Sequence, residues 1–323
     1  MNDKTIPVSV IVPNYNSRRY LKECIESINS GQRPAEILII DDCSTDDSLD
    51  LAFKLKSQYP NIKVLQREVN GGAAEARKLG VYAASQDLIA LVDADDLLET
   101  DALADAYAVM MSSAADVCIW DLWSFDAENK WRHAANPNSL PKTGREAAIL
   151  TLGGWRMHAA GMSLKSLYKK AYRELAETAF NADELLTRLV FSHATMIVGC
   201  QKKYLYRSHA ASTTRVLSVR RLSSLDSCLW LLNFAHHYPE APIRTMVRGG
   251  IAEAWFYWKN RNQIGKAETL SALREFLPKI ARFPGLWSWL WQSPKHFIAL
   301  LFLSGVILVV RKRRNEAHGV GHV

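Results

Sequence analysis

Apolar positions in the first half of the chain alternate between two periods. Short aliphatic or β-branched runs at 7–13, 36–40, 63–66, 88–92 and 117–125 have the length of strands. Between them, apolar residues recur at helical spacing. Leu21, Cys24, Ile25 and Ile28 stand at i, i+3, i+4 and i+7, with Asn16 or Ser17 as candidate caps before them and Gly31 as a stop after them. The same periodicity predicts helices over 46–58, 72–84 and 101–113. Strands that alternate with helices predict an α/β fold, a mostly parallel sheet covered by helices on both faces. Ligands of such sheets bind outside the carboxyl ends of the strands. Three polar clusters, at 13–16, 41–48 and 93–96, fall at predicted strand ends, so the topology directs them to one crevice.

Past residue 125 the pattern changes. Residues 126–143 read as a loop, and helical patterns follow at 144–152, 164–178 and 183–193. Short strands are expected at 195–198 and 202–207. From 216 onward the chain reads as helical without alternation, so the expected organisation is a sheet domain over 1–215 and a helical region over 216–323.

Composition narrows the class. Of 323 residues, 48% are hydrophobic and 23% charged, which excludes disorder over most of the length and excludes a multi-spanning membrane protein. The five cysteines are scattered without a CxxC pair, so a disulfide framework or structural zinc site is not expected, and a reducing compartment is. No signal peptide is read at the N-terminus. Charge is uneven: residues 1–150 carry a net −8 and residues 151–323 a net +15. The basic half suits an anionic partner. Its basic residues are dispersed and accompany no nucleic-acid-binding motif, so nucleic acid is not an expected partner.

The sharpest chemical signal is Asp93-Ala94-Asp95-Asp96. A strand that exits into several carboxylates crowds like charges, which is costly unless a cation neutralises them. Mg2+ or Mn2+ suits such oxygen ligands and shares them with substrate phosphates. A solvated turn, with Asp96 capping the next helix, is the structural alternative. At the end of 36–40, capping by Ser44 or Asp46 explains part of the acidic cluster but not the pair Asp41-Asp42. A carboxylate there can accept the imide N–H of a uracil ring. Tyr15, beside Pro13, Asn14 and Asn16, can stack on a nucleobase or cover the sheet edge. Gly71-Gly72 before a helix permits close approach of an anion, and Arg77 stands within reach of a phosphate or of solvent.

Together these segments resemble the family 2 glycosyltransferases of the GT-A fold. The resemblance is carried by VSVIVPNYN, EILIIDDCSTDDS, NGGAAEARKLGVYAASQDLIALVDADD, FNADELL and KKYLYRSHAASTT. It covers residues 6–100 closely and extends more loosely to about 215. It implies an inverting transfer of a sugar from a nucleotide donor, UDP-linked, to a hydroxyl of a glycan. Tyr15 and Asp42 match the uracil contacts, with Pro13 and Asn16 shaping the pocket. Arg77 matches the arginine near the donor base and phosphates. Asp93 and Asp95 match the DxD motif, Asp95 as the direct ligand of Mn2+ or Mg2+ and Asp93 toward the ribose or donor sugar. Asp183 matches the aspartate of a Glu-Asp pair, the family's general base. Here Ala182 replaces the glutamate and Glu184 follows, which leaves Glu184 as the alternative base. Arg207 and His209 lie where the family closes a segment over the diphosphate. The departure at Ala182 also keeps open a catalytically inactive sugar-nucleotide-binding scaffold of the same fold.

The C-terminal stretch adds an expectation of its own. Residues 286–292 are tryptophan-rich, 297–310 form an apolar run of 14 residues, and Arg311-Lys312-Arg313-Arg314 follows. That run is short for a span, which needs ~20 residues. The stretch 286–310 is therefore read as associating with an anionic membrane surface, and a buried core helix is the alternative. This places the protein at the cytoplasmic face of the plasma membrane, peripheral or monotopic, with a lipid-linked glycan of surface polysaccharide or lipopolysaccharide assembly as acceptor.

Overall fold

The computed structural model describes residues 5–126, 132–135, 140–152, 158, 160–175, 182–209 and 217–282, with 295, 299, 300, 302 and 303. The chain divides into two compact units. One comprises 1–178 and 183–212, the other 179–182 and 213–323.

In the first unit, β1 (Ile6–Asn14) leads through a turn into α1 (Leu21–Ile28), then β2 (Pro34–Asp41), α2 (Ser48–Gln58), β3 (Ile62–Gln66), α3 (Ala73–Ala83) and β4 (Leu88–Leu91). A two-residue strand β5 (Leu97–Leu98), α4 (Ala102–Ser113) and β6 (Val117–Phe125) follow. Then come β7 (Arg132–Ala135), β8 (Lys142–Thr143), α5 (Gly144–Thr151), β9 (Gly161–Leu164), α6 (Lys165–Glu174), α7 (Ala182–His193) and β10 (Met196–Arg207).

The strands form one sheet in the order β3-β2-β1-β4-β9-β6-β10-β5, with β7 on β6 and β8 on β10. β1 pairs in parallel with β2 and with β4, and β2 with β3. The chain therefore builds outward on one side of β1 and then crosses to the other. The carboxyl ends of β1 and β4 flank the point where the strand order reverses, the place where such sheets bind ligands.

The sheet is mixed rather than mostly parallel. β9 runs antiparallel between β4 and β6, whereas β6 and β10 are parallel. The four residues of β9 are too few to show a period, and they adjoin a helical pattern that masks them. Two further corrections have the same origin. Residues 126–143 are not all loop, since β7 and β8 pair along β6 and β10. The strands expected at 195–198 and 202–207 are one strand, β10, whose pairing is irregular between Gly199 and Lys203.

Packing follows the sequence pattern. Leu21, Cys24, Ile25 and Ile28 are the buried face of α1, each large apolar side chain contributing ~1.5–3 kcal/mol relative to exposure. Tyr20, not Asn16 or Ser17, precedes that helix, and no side chain caps it. α3 lies against β1, and a Cβ on Gly80 would stand 2.4 Å from Ile11 Cγ2, so only glycine permits that approach. At the amino ends of the strands, buried Glu36 accepts from Ser9 Oγ at 2.5 Å, Lys63 Nζ at 2.6 Å and Ser85 N–H at 2.8 Å. Burial opposes its charge, but those donors prevail and hold its pKa below the usual glutamate value.

Among its described residues, the second unit is helical. A short 3-10 helix (Val219–Ser223) precedes α8 (Ser224–Ala235), α9 (Ile243–Lys259), α10 (Arg261–Ile264) and α11 (Lys266–Ala281). Leu225, Leu232, Val247, Ile251, Tyr257, Leu273, Phe276 and Ile280 are buried in it. Of the aromatic run at 255–258, Tyr257 is buried, and Trp255 and Trp258 meet Phe302 edge-on. Leu300 and Leu303 are buried and Phe302 is exposed. Residues 286–292, the remainder of 297–310 and Arg311–Arg314 lie outside the described residues. Among those described, no helix is long and apolar enough to cross a membrane.

Candidate active site

The three polar clusters meet at the carboxyl edge of the sheet. At the ends of β1 and β2, Asn14 Nδ2 donates to Asp41 at 2.7 Å, and Asp41 accepts from Ser44 N–H at 3.0 Å and Ser44 Oγ at 2.6 Å. Asn16 has a left-handed backbone, φ 51°, and its side-chain oxygen accepts Thr45 N–H at 2.8 Å. Asn16 therefore clamps the acidic loop. Pro13 is buried beneath this turn, and Tyr15, 47% exposed, presents its ring to solvent.

Asp42 is buried and serves the protein. Its Oδ1 accepts Gly71 N–H at 3.0 Å and a bond from Arg67 Nη1, and its Oδ2 accepts Gly72 N–H at 2.5 Å. The anion held by the glycines at the start of α3 is thus the Asp42 carboxylate itself. Gly72 needs its positive φ of 86° for this approach. Arg67 gave no signal in the sequence, because its partner lies 25 positions away, just past the end of another strand.

The turn after β4 carries the carboxylates. Arg77 Nη2 donates to both oxygens of Asp93, at 2.6 and 2.9 Å. Burial disfavours the Arg77 charge, but Asp93 and then Asp183 more than offset it, so its pKa is raised. Asp96 does not cap α4. Its Oδ2 accepts Tyr204 O–H at 2.6 Å and its Oδ1 accepts Arg207 N–H at 2.8 Å, while the Tyr204 hydroxyl accepts Asp93 N–H at 3.2 Å. Burial, then the neighbouring Asp93 and Asp95, push the Asp96 pKa well up. β10 therefore fastens the acidic turn.

Asp95 points elsewhere. Its Oδ2 lies 2.8 Å from His209 Nε2. The two atoms share a hydrogen bond, and a carboxylate and an imidazole are both groups that a divalent cation accepts, so Asp95 and His209 are the residues that would hold one in its place. Among the described residues there is no cluster of three or more His, Cys, Asp or Glu able to hold a metal. A cation here would take its other ligands from water and phosphate oxygens, as Mg2+ commonly does.

Asp183 is exposed in the first turn of α7. Together with Arg77, Asp93, His158, Tyr168 and Tyr206 it lines a cavity of about 210 Å³. Glu184 turns aside and pairs with Arg188, 3.8 Å away. Asp183 and Asp93, 90 positions apart in sequence, thus face one cavity.

The mixed α/β sheet, with acidic residues gathered at the carboxyl ends of its strands, has the GT-A type of fold that the solved structures below share. Residues 9–173 match the model of glycosyl transferase family 2, and the chain belongs to that family. It is 27% identical to glycosyltransferase GlyG of Streptococcus pneumoniae over 222 residues, 64% of this chain and 73% of that protein. It is 36% identical to the poly(ribitol-phosphate) beta-N-acetylglucosaminyltransferase TarS of Staphylococcus aureus over 115 residues, 34% of this chain and only 20% of TarS. The crystal structure of S. aureus TarS 1-349 in complex with UDP-GlcNAc has the same fold, with a TM-score of 0.60 at 20% identity over 85% of this chain and 82% of that one.

Proposed function

We propose that this protein transfers a sugar from a UDP-linked donor to a hydroxyl of a glycan acceptor, with inversion, in the assembly of a surface polysaccharide. The observation that carries the reading is the shared cavity of Arg77, Asp93 and Asp183 at the strand ends. TarS, of the same fold, has been crystallised with UDP-GlcNAc and with UDP.

In this reading Tyr15 covers the base, and Asp42 acts through the loop it ties together rather than by its buried oxygens. Arg77 orients Asp93 toward the ribose or donor sugar. Asp95 and His209 would hold Mn2+ or Mg2+, which when bound would supply Lewis-acid neutralisation of charge on the departing diphosphate. Asp183 takes the proton of the attacking hydroxyl as general base, an effect worth typically ~10²–10⁴-fold. Single displacement follows from a base on the acceptor side with no nucleophile required from the protein. The net +15 of residues 151–323 favours an acceptor that is itself anionic or is carried at an anionic membrane surface.

Calorimetric titration with UDP, ADP and GDP, with and without Mn2+, tests the donor site. UDP-selective, Mn2+-enhanced binding is expected, followed by turnover of a UDP-sugar with a glycan acceptor. Equal binding of all three nucleotides, or of none, refutes the donor assignment.

A further inference from the structure

The pair Asp95–His209 does not stand alone. Arg207 Nε–H donates to the Asp95 backbone carbonyl at 2.7 Å, and its Nη2 donates to Glu23 on α1 at 2.7 Å. Its guanidinium is held between two rings, 4.9 Å from the centroid of Tyr20 and 4.6 Å from that of Phe125. The Tyr20 ring in turn stacks on His209, with centroids 5.2 Å apart and an interplanar angle of 29°. The start of α1 thus grips both halves of the pair. Glu23 fixes Arg207, which fixes the Asp95 backbone, and Tyr20 fixes the plane of the His209 ring. Nothing in the packing of α1 requires this, since its buried face is Leu21, Cys24, Ile25 and Ile28, and Glu23 is exposed.

We propose that Glu23 and Tyr20 are positioning residues for the cation-binding pair Asp95–His209, Glu23 acting through Arg207 and Tyr20 by stacking. The inference rests on the reading of that pair as the cation site. Groups that orient ligands from behind typically set metal affinity by ~10–100-fold. An imidazole free to rotate, or a turn free to shift, loses the 2.8 Å contact that keeps the Asp95 carboxylate and the His209 ring side by side.

The experiment measures Mn2+ uptake directly, from the electron paramagnetic resonance of free Mn2+ titrated into the full chain with UDP held at a fixed concentration. UDP affinity in EDTA and the thermal midpoint are measured on the same samples. Glu23→Ala and Tyr20→Ala are expected to weaken Mn2+ binding about tenfold. Glu23→Asp and Tyr20→Phe should recover most of it, and metal-free UDP affinity and the thermal midpoint should stay at wild-type values. Wild-type Mn2+ affinity in both alanine variants overturns the proposal and leaves the cation site standing. A loss of Mn2+ affinity that comes only with an equal loss of metal-free UDP affinity and of thermal midpoint makes the contact merely structural, which also overturns it. If the wild-type chain takes up no Mn2+ while still binding UDP, the cation site falls, and the proposal with it.

Discussion

One amino group of Arg77 reaches both carboxylate oxygens of Asp93, 2.6 and 2.9 Å away. The arginine lies on α3 and the aspartate past the end of β4, 16 residues later. Asp93 is 37% exposed and faces the cavity, while Arg77, at 14%, stands behind it. The pair neutralises one of three crowded carboxylates without sealing it from a ligand. Arg77→Met should leave Asp93 facing Asp95 and Asp96 unpaired. We expect donor affinity to fall about tenfold or more, the worth of ~1.5–3 kcal/mol for a hydrogen bond to a charged group. Calorimetry with UDP-sugar checks this.

Asp183→Asn should keep UDP affinity near wild type and lower turnover by ~10²–10⁴-fold, the usual weight of a general base. Glu184→Gln should be close to wild type, because Glu184 faces Arg188 rather than the cavity. Near-native turnover of Asp183→Asn would transfer the role elsewhere.

Asp95→Ala and His209→Ala should each abolish the enhancement of UDP binding by Mn2+. Neither should greatly change binding in EDTA, since in the proposed reading the base and ribose contacts are made by other residues. Paired titrations with and without chelator provide the comparison.

Asp42→Ala would strand Arg67 and the amide groups of Gly71 and Gly72. Removing one partner of a buried pair costs about 3–5 kcal/mol, and the partial exposure of Arg67 puts this case at or below about 3 kcal/mol. Urea unfolding gives the stability. UDP affinity should fall with it, because the same loop shapes the pocket.

Glu36 makes stability depend on pH. Its pKa is depressed in the folded protein, so its contribution is fully present above the unfolded value of 4.5 and is lost as pH falls through the folded value. Glu36→Gln should cost ~1–3 kcal/mol at pH 7 and flatten the acid limb below that pH. Thermal midpoints measured from pH 7 to pH 3 show whether the limb flattens.

Much of the fold was legible because local pattern and tertiary burial agree. The strands at 7–13, 36–40 and 88–92 are apolar enough to be buried on both faces, and α1 shows its stripe over two turns. What was not legible has a common cause. β9 is too short to carry a period, and its antiparallel insertion between β4 and β6 depends on partners it meets only in the folded chain. The hydrogen-bond partners of Asp96 and Asp42 were not legible for the same reason: Tyr204 and Arg207 lie on β10, and Arg67 follows the end of β3.

By itself, the sequence determined which segments become strands and helices, and that three acidic or polar clusters end strands. It also determined the family, through ordered motifs. Only the tertiary structure decided how those residues are shared out. It buries Asp42 under α3, sets Asp93 on Arg77, and places Asp95 beside His209. It turns Asp183 rather than Glu184 into the cavity. Residue type sets what a side chain can do, but the hydrogen bonds that orient it come from strands and helices up to 184 residues away, as between Glu23 and Arg207.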